Sequence, residues 1–74
     1  MKVYIETTLR EFNAWSGGEV TKKEIIEQNK DSEFEFLIDE LFPDGIDETQ
    51  LNDLLWFDRE FIYESLGINE KENE

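Results

Sequence analysis

The stretch DETQLNDLLWFDREFIYESL, residues 47–66, decides the fold. Its apolar residues recur at helical spacing in two runs, near 48–56 and 59–66, which a tight turn separates. Asp47 and Asp58 precede the two runs, and an aspartate in that place is a favoured helix N-cap. This stretch therefore predicts a helix–turn–helix pair. The residues that the pair would bury are Leu51, Leu54, Leu55, Ile62 and Leu66.

Three further helix starts are indicated upstream of this pair. A Ser or Thr followed three residues later by a Glu fits the capping box, in which hydroxyl and carboxylate satisfy the first free amides of a helix. The three pairs are Thr8–Glu11, Thr21–Glu24 and Ser32–Glu35. Glycine-containing segments at 16–18, 43–45 and 66–67 supply stop signals. The helices predicted from these signals are near 9–15, 22–30 and 33–42.

The predicted helix near 33–42 has the clearest apolar stripe. The stripe consists of Phe34, Leu37, Ile38 and Leu41. At 100° per residue, Phe36 lies about 200° from Phe34, so we expect Phe36 on the outer face. Trp56 and Phe61 are also off the stripes of their helices, whereas Trp15 is assigned to the core.

Residues 2–6, KVYIE, alternate between polar and apolar and favour a short strand. The strand has two candidate partners, residues 33–37, which also alternate, and a second copy of the molecule. The sequence thus predicts a mainly α (α+β) fold of about five short helices and one N-terminal strand. The compact single domain would span residues 1–68, and residues 69–74 would form a disordered acidic tail.

Charge and composition exclude several classes of function. Twenty acids against seven bases give a net charge of −13, and the whole excess lies in residues 31–74. With no Cys and no His, disulfide scaffolds, zinc sites and an imidazole base are excluded. No stretch approaches the ~20 apolar residues of a membrane span. We therefore expect a cytoplasmic protein without catalytic residues, metal or cofactor.

The carboxylates themselves suggest three activities that the pattern does not support. Paired acids act as acid and base only in a cleft that splits their pKa values, and so short a chain leaves little room for one. An EF-hand fails on the spacing of acids before Gly45. The helix–turn–helix pair carries six acids against Arg59 alone, so direct binding to nucleic acid or to an anionic membrane is disfavoured.

A surface of fixed negative charges remains as the candidate site. Carboxylates a few ångströms apart resemble a phosphate backbone and would attract a protein built to bind phosphates. The predicted partner is a basic protein that binds nucleic acid. In the bland alternative, the charge serves only solubility. The predicted partner-binding residues are Glu35, Phe36, Asp39, Glu40, Asp53, Trp56, Glu60 and Glu64.

Two segments resemble known groups of proteins. Residues 41–57, LFPDGIDETQLNDLLWF, with the opening 5–12, IETTLREF, are similar to short uncharacterised proteins of Gram-positive phages and mobile elements. Residues 2–5 with Phe12-Asn13 resemble the opening of ArdA-type antirestriction proteins, which are acidic DNA mimics. In size and charge the chain is also similar to acidic anti-CRISPR inhibitors. These resemblances imply an inhibitor that acts by DNA mimicry in the host bacterial cytoplasm, against a nuclease or a restriction or CRISPR effector of the host. The alternative is a small phage accessory or regulatory domain, dimeric through its edge strand, whose charge serves only solubility.

Overall fold

Four helices make up most of what the computed structural model describes, which is residues 1–3 and 5–68. They are α1 (Ser16–Glu27), α2 (Asp31–Leu41), α3 (Glu48–Phe57) and α4 (Arg59–Leu66). Two strands of two residues each, β1 (Lys2–Val3) and β2 (Ile5–Glu6), precede them. The predicted mainly helical fold is confirmed, with four helices in this part of the chain instead of five. The predicted tail, residues 69–74, lies outside the described residues.

The segment predicted as one N-terminal strand contains two short strands that pair with each other. β1 and β2 are antiparallel, with Lys2 opposite Glu6. The amide of Thr7 donates to the carbonyl of Met1 at 2.8 Å and closes the hairpin. Pairing with residues 33–37 is wrong, because that segment belongs to α2, where Phe34 and Ile38 are buried one helical turn apart.

The helix predicted near 9–15 is only a turn. Its capping signal does work, since the Thr8 hydroxyl accepts from the Glu11 amide at 3.2 Å and the Thr8 carbonyl accepts from the Phe12 amide at 3.1 Å. The chain becomes extended at Trp15, whose amide donates to the Asn52 Oδ1 at 2.9 Å. A bond to another helix thus ends this turn before a second one can form.

The segment 16–18, predicted as a stop, is the first turn of α1. Its two glycines let α1 approach α3 closely. A Cβ at Gly17 would lie 2.2 Å from Trp56 Cδ1, and one at Gly18 would lie 2.3 Å from Asn52 Oδ1. Packing against α3 therefore outweighs the poor helix propensity of glycine.

Two predicted N-caps are wrong for related reasons. Thr21 is buried inside α1, where its hydroxyl donates to the Gly17 carbonyl at 3.4 Å and accepts from Arg59 Nε at 3.1 Å. Ser32 lies within α2, which begins one residue earlier and has no side-chain cap. In neither place does the hydroxyl cap the first turn of the helix, although the spacing of hydroxyl and carboxylate fits the capping box.

The α3–α4 pair lies where the sequence predicts it. Asp47 caps α3 by accepting from the Gln50 amide at 2.8 Å. Asp58 is the N-cap residue of α4 but makes no side-chain cap hydrogen bond, so that prediction holds in position only. No helix in the described residues is long and apolar enough to cross a membrane.

The core is one cluster of buried apolar side chains from the N-terminal segment, the helices and their connections. Two sequence assignments are wrong: Trp15 is 41% exposed, lying 6.4 Å from the Phe12 ring between centroids, and Leu41 at the end of α2 is exposed. The members of the cluster are Met1, Val3, Leu9, Phe12, Ile25, Phe34, Ile38, Ile46, Leu51, Leu55, Ile62, Tyr63, Leu66 and Ile68.

Candidate protein-interaction surface

Three aromatic side chains are exposed on the α3–α4 pair. Trp56 is 40%, Phe57 69% and Phe61 44% exposed, as their positions off the buried stripe require. The rings of Trp56 and Phe57 stack at a centroid distance of 4.8 Å and an angle of 10°. Stacking leaves both rings together at the surface and forms an apolar platform at the end of α3.

Carboxylates surround these rings. Asp53 precedes Trp56 by three residues and Phe57 by four, so the three share one side of α3. Glu60 lines an open depression with Trp56, Phe57 and Arg59, and a second one with Phe61, Tyr63, Glu64 and Ile68. Because Glu60 belongs to both, the two depressions are neighbours on one surface. We call this the α3–α4 surface and define it by Asp53, Trp56, Phe57, Glu60, Phe61 and Glu64.

The negative charge of the α3–α4 surface is not neutralised within the described part of the chain. No ion pair between described residues involves Asp53, Glu60 or Glu64. Arg59 is the one base of residues 31–68, and its Nε donates to the hydroxyl of Thr21 in α1. Like charges four residues apart on a helix cost about 0.2–0.5 kcal/mol, so Glu60 and Glu64 are kept together against a small repulsion.

A second acidic and aromatic patch lies on α2. Phe34 is buried and Phe36 is 65% exposed, which confirms the geometry expected from the helical period. Glu40, four residues after Phe36, is also exposed. Asp39 is exposed as well, but its Oδ1 lies 3.6 Å from the Met1 amine.

Glu35 binds the N-terminal segment of its own chain and is not a freely exposed carboxylate. It is half-buried, and its Oε2 accepts from the Leu9 amide at 2.8 Å. The Met1 amine donates to Glu6 Oε2 at 2.6 Å. Burial by itself lowers the pKa of this amine, but the hydrogen bond to Glu6 and the charges of Asp39, Glu6 and Glu35 outweigh it, so the pKa is raised above 8.0.

The structure thus divides the predicted site residues between two patches. Asp53, Trp56, Glu60 and Glu64 lie together on the α3–α4 surface, and the other predicted residues lie on α2. No hydrogen bond or ion pair among residues 1–3 and 5–68 joins the two patches.

Sequence reasoning left Phe57 and Phe61 out of the site. The helix predicted near 48–56 ends before Phe57, although Phe57 follows Asp53 by four residues and α3 continues through it. That i, i+4 spacing was the available signal. Phe61 was noted as off its stripe, and its neighbours Glu60 and Glu64 were the signal that it belongs with them.

Among the described residues, no group of three or more Asp or Glu side chains converges in a way that could hold a metal ion. Comparison with protein-family models, with curated proteins and with solved structures found no match. The α3–α4 surface is therefore the feature that bears on function.

Proposed function

We propose that this chain is a non-enzymatic acidic binding protein whose α3–α4 surface occupies the nucleic-acid site of a host defence or DNA-processing protein. The observation that carries the proposal is the placement of three unpaired carboxylates around exposed aromatic rings on one continuous surface. The partner would be a nuclease or a restriction or CRISPR effector. The chain would be encoded by a phage or mobile element and act in the bacterial cytoplasm.

Electrostatics favours a basic partner over an acidic one or a second copy. A nucleic-acid site presents Lys and Arg at phosphate spacing, and these groups would pair with Asp53, Glu60 and Glu64. Two copies meeting through this surface would instead place the same carboxylates opposite each other. The proposal therefore assigns the surface to a partner of opposite charge.

The aromatic rings would supply affinity that exposed charge pairs alone do not provide. Exposed charge pairs contribute little affinity and are screened by salt, whereas aromatic anchors dominate many interfaces. Trp56 and Phe57 present a preformed stacked platform, so little rotamer freedom remains to be lost on binding. Charge would guide the encounter and these rings would hold the complex.

A pull-down from bacterial lysate at low and high salt, read by mass spectrometry, tests the proposal. The test variant is Glu60→Lys/Glu64→Lys. The matched control is Glu27→Lys/Asp44→Lys, which changes the net charge equally at exposed acids of α1 and the α2–α3 turn. We expect a basic nucleic-acid-binding protein to be retained at low salt and lost at high salt, with the control variant still binding.

The alternatives give different results. A regulatory domain whose charge serves only solubility would hold its partner at both salt concentrations, and both variants would bind it. An enzyme would lose turnover on neutralising one carboxylate while still binding. A complex that is indifferent to salt and to the Glu60/Glu64 reversal contradicts the proposal.

A further inference from the structure

The two depressions of the α3–α4 surface differ in charge. The first includes Arg59, whereas the second has no base among its described lining residues. The second is open, with a volume of about 570 Å³, and Glu60 and Glu64 both contribute to it. We propose that this second depression receives an arginine side chain of the partner. The inference rests on the proposed function and specifies which basic residue the surface selects.

Two carboxylates one helical turn apart suit a guanidinium better than an ammonium. Glu60 and Glu64 are four residues apart on α4, so their Cβ atoms are about 5–6 Å from each other. A guanidinium carries five N–H donors in a planar fork and can donate to both carboxylates at once. A lysine ammonium is a compact charge that one carboxylate satisfies, and it stays strongly hydrated.

Phe61 adds a second preference for arginine. Its ring is partly exposed and lines the same depression as the two carboxylates. A guanidinium can stack on an aromatic face while its edge donates to carboxylates, because the donors lie in the plane of the group. The ring and the paired acids therefore act on the same group without competing for it.

The floor of the depression fits the stem of a long side chain. Tyr63 and Ile68 line it and are both buried in the core. The methylene groups of an arginine pack on apolar surface while the charged end stays at the rim. The depression thus offers apolar contact inside and negative charge at its edge.

Binding of two peptides of equal length, spacing and net charge tests this inference, one rich in arginine and one rich in lysine. Fluorescence anisotropy at low salt gives the two affinities for the full chain. We expect the arginine peptide to bind about three- to fivefold tighter. Phe61→Leu should weaken binding of the arginine peptide more than binding of the lysine peptide and so reduce this preference, leaving the part that the two carboxylates supply. The control Val20→Ala, at an exposed apolar residue of α1, should change neither affinity.

The outcomes separate this inference from the function on which it rests. Equal affinities for the two peptides, or a preference that Phe61→Leu does not reduce, overturn the arginine assignment. If both affinities are equal and both fall in Glu60→Gln/Glu64→Gln, acidic capture stands while the arginine assignment fails. The proposed function itself fails if the cellular complex is indifferent to salt and to charge reversal, which the peptide experiment does not measure.

Discussion

Gly18 and Asn52 form a close contact between α1 and α3. Asn52 is fully buried, its Oδ1 accepts from the Trp15 amide, and its Nδ2 has no hydrogen-bond partner among the described residues. A buried amide that is only half satisfied costs stability, so the bond to Trp15 and the close helix contact must outweigh that cost. Asn52 therefore orders the chain just before α1 and fixes how α1 meets the helix that carries Trp56.

Gly18→Ala tests this contact. The added methyl group would lie 2.3 Å from Asn52 Oδ1, and Asn52 is buried and cannot move into solvent. We expect the free energy of unfolding to fall by about 1–2 kcal/mol, since overpacking exceeds the gain in helix propensity. Urea denaturation measures it.

Gly17→Ala is the matched control for Gly18→Ala. Its methyl group meets the Trp56 ring, which is partly exposed and can turn outward. The loss of stability should therefore be smaller. Equal losses in the two variants would contradict the assignment of the tight contact to Asn52.

The amine of Met1 predicts a loss of stability in alkali. Its pKa is raised in the folded chain above the ordinary value of 8.0. The stabilisation is therefore fully present below pH 8 and is lost as the pH rises through the raised pKa. Urea denaturation between neutral and alkaline pH should show this loss, and it should be smaller in Glu6→Gln, which lacks the strongest partner. Parallel losses in the two proteins would show that the amine is not responsible.

Single side chains were predictable where one helix decides their environment. Phe36 follows from the helical period of α2, because its own helix places it opposite Phe34. Trp15 was misassigned because its exposure depends on the bond between its amide and Asn52, thirty-seven residues away. Local pattern contains no information on such a contact.

At the level of elements, the predicted N-cap residues fall into two groups, those whose side chain makes a cap hydrogen bond and those whose side chain does not. Asp47 accepts from the Gln50 amide, and Asp58 makes no side-chain cap bond although it holds the same position before α4. The capping-box pairs show the same division, since Thr8 caps a single turn and Thr21 lies inside a helix. The motif alone therefore decides neither the cap hydrogen bond nor the start of a helix, and both depend on how the segment packs.

Asp47→Ala and Asp58→Ala compare the two caps directly. We expect Asp47→Ala to lower the free energy of unfolding by about 1 kcal/mol, because the Gln50 amide loses its acceptor. Asp58→Ala should lower it by much less. Chemical denaturation with circular dichroism measures both, and a larger loss for Asp58→Ala would contradict the assignment.

Across elements, the apolar pattern predicted the α3–α4 pair well and the start of α1 poorly. Residues 47–66 carry clear apolar runs with a turn between them, and both helices form there. The glycines at 17 and 18 read locally as a stop, yet they permit close contact with α3. Glycine has both uses, and only the partner helix distinguishes them.

At the scale of the whole molecule, the exposed carboxylates lie in two patches. The sequence shows the excess of acids over bases in residues 31–74, but it does not predict that these acids divide between an α2 patch and the α3–α4 surface. Glu35 and Asp39 are engaged by the N-terminal segment, which reduces what α2 can offer a partner. The α3–α4 surface keeps its carboxylates unpaired among the described residues and is therefore the better candidate.

Competition for the captured partner tests the central claim most directly. A labelled nucleic acid bound to that partner is titrated with this chain and followed by fluorescence anisotropy. We predict that the chain displaces the nucleic acid and that anisotropy falls to the value of the free label. Glu27→Lys/Asp44→Lys should displace it equally, and Glu60→Lys/Glu64→Lys should not. Anisotropy that stays constant or rises, as in a ternary complex, would contradict occupation of the nucleic-acid site.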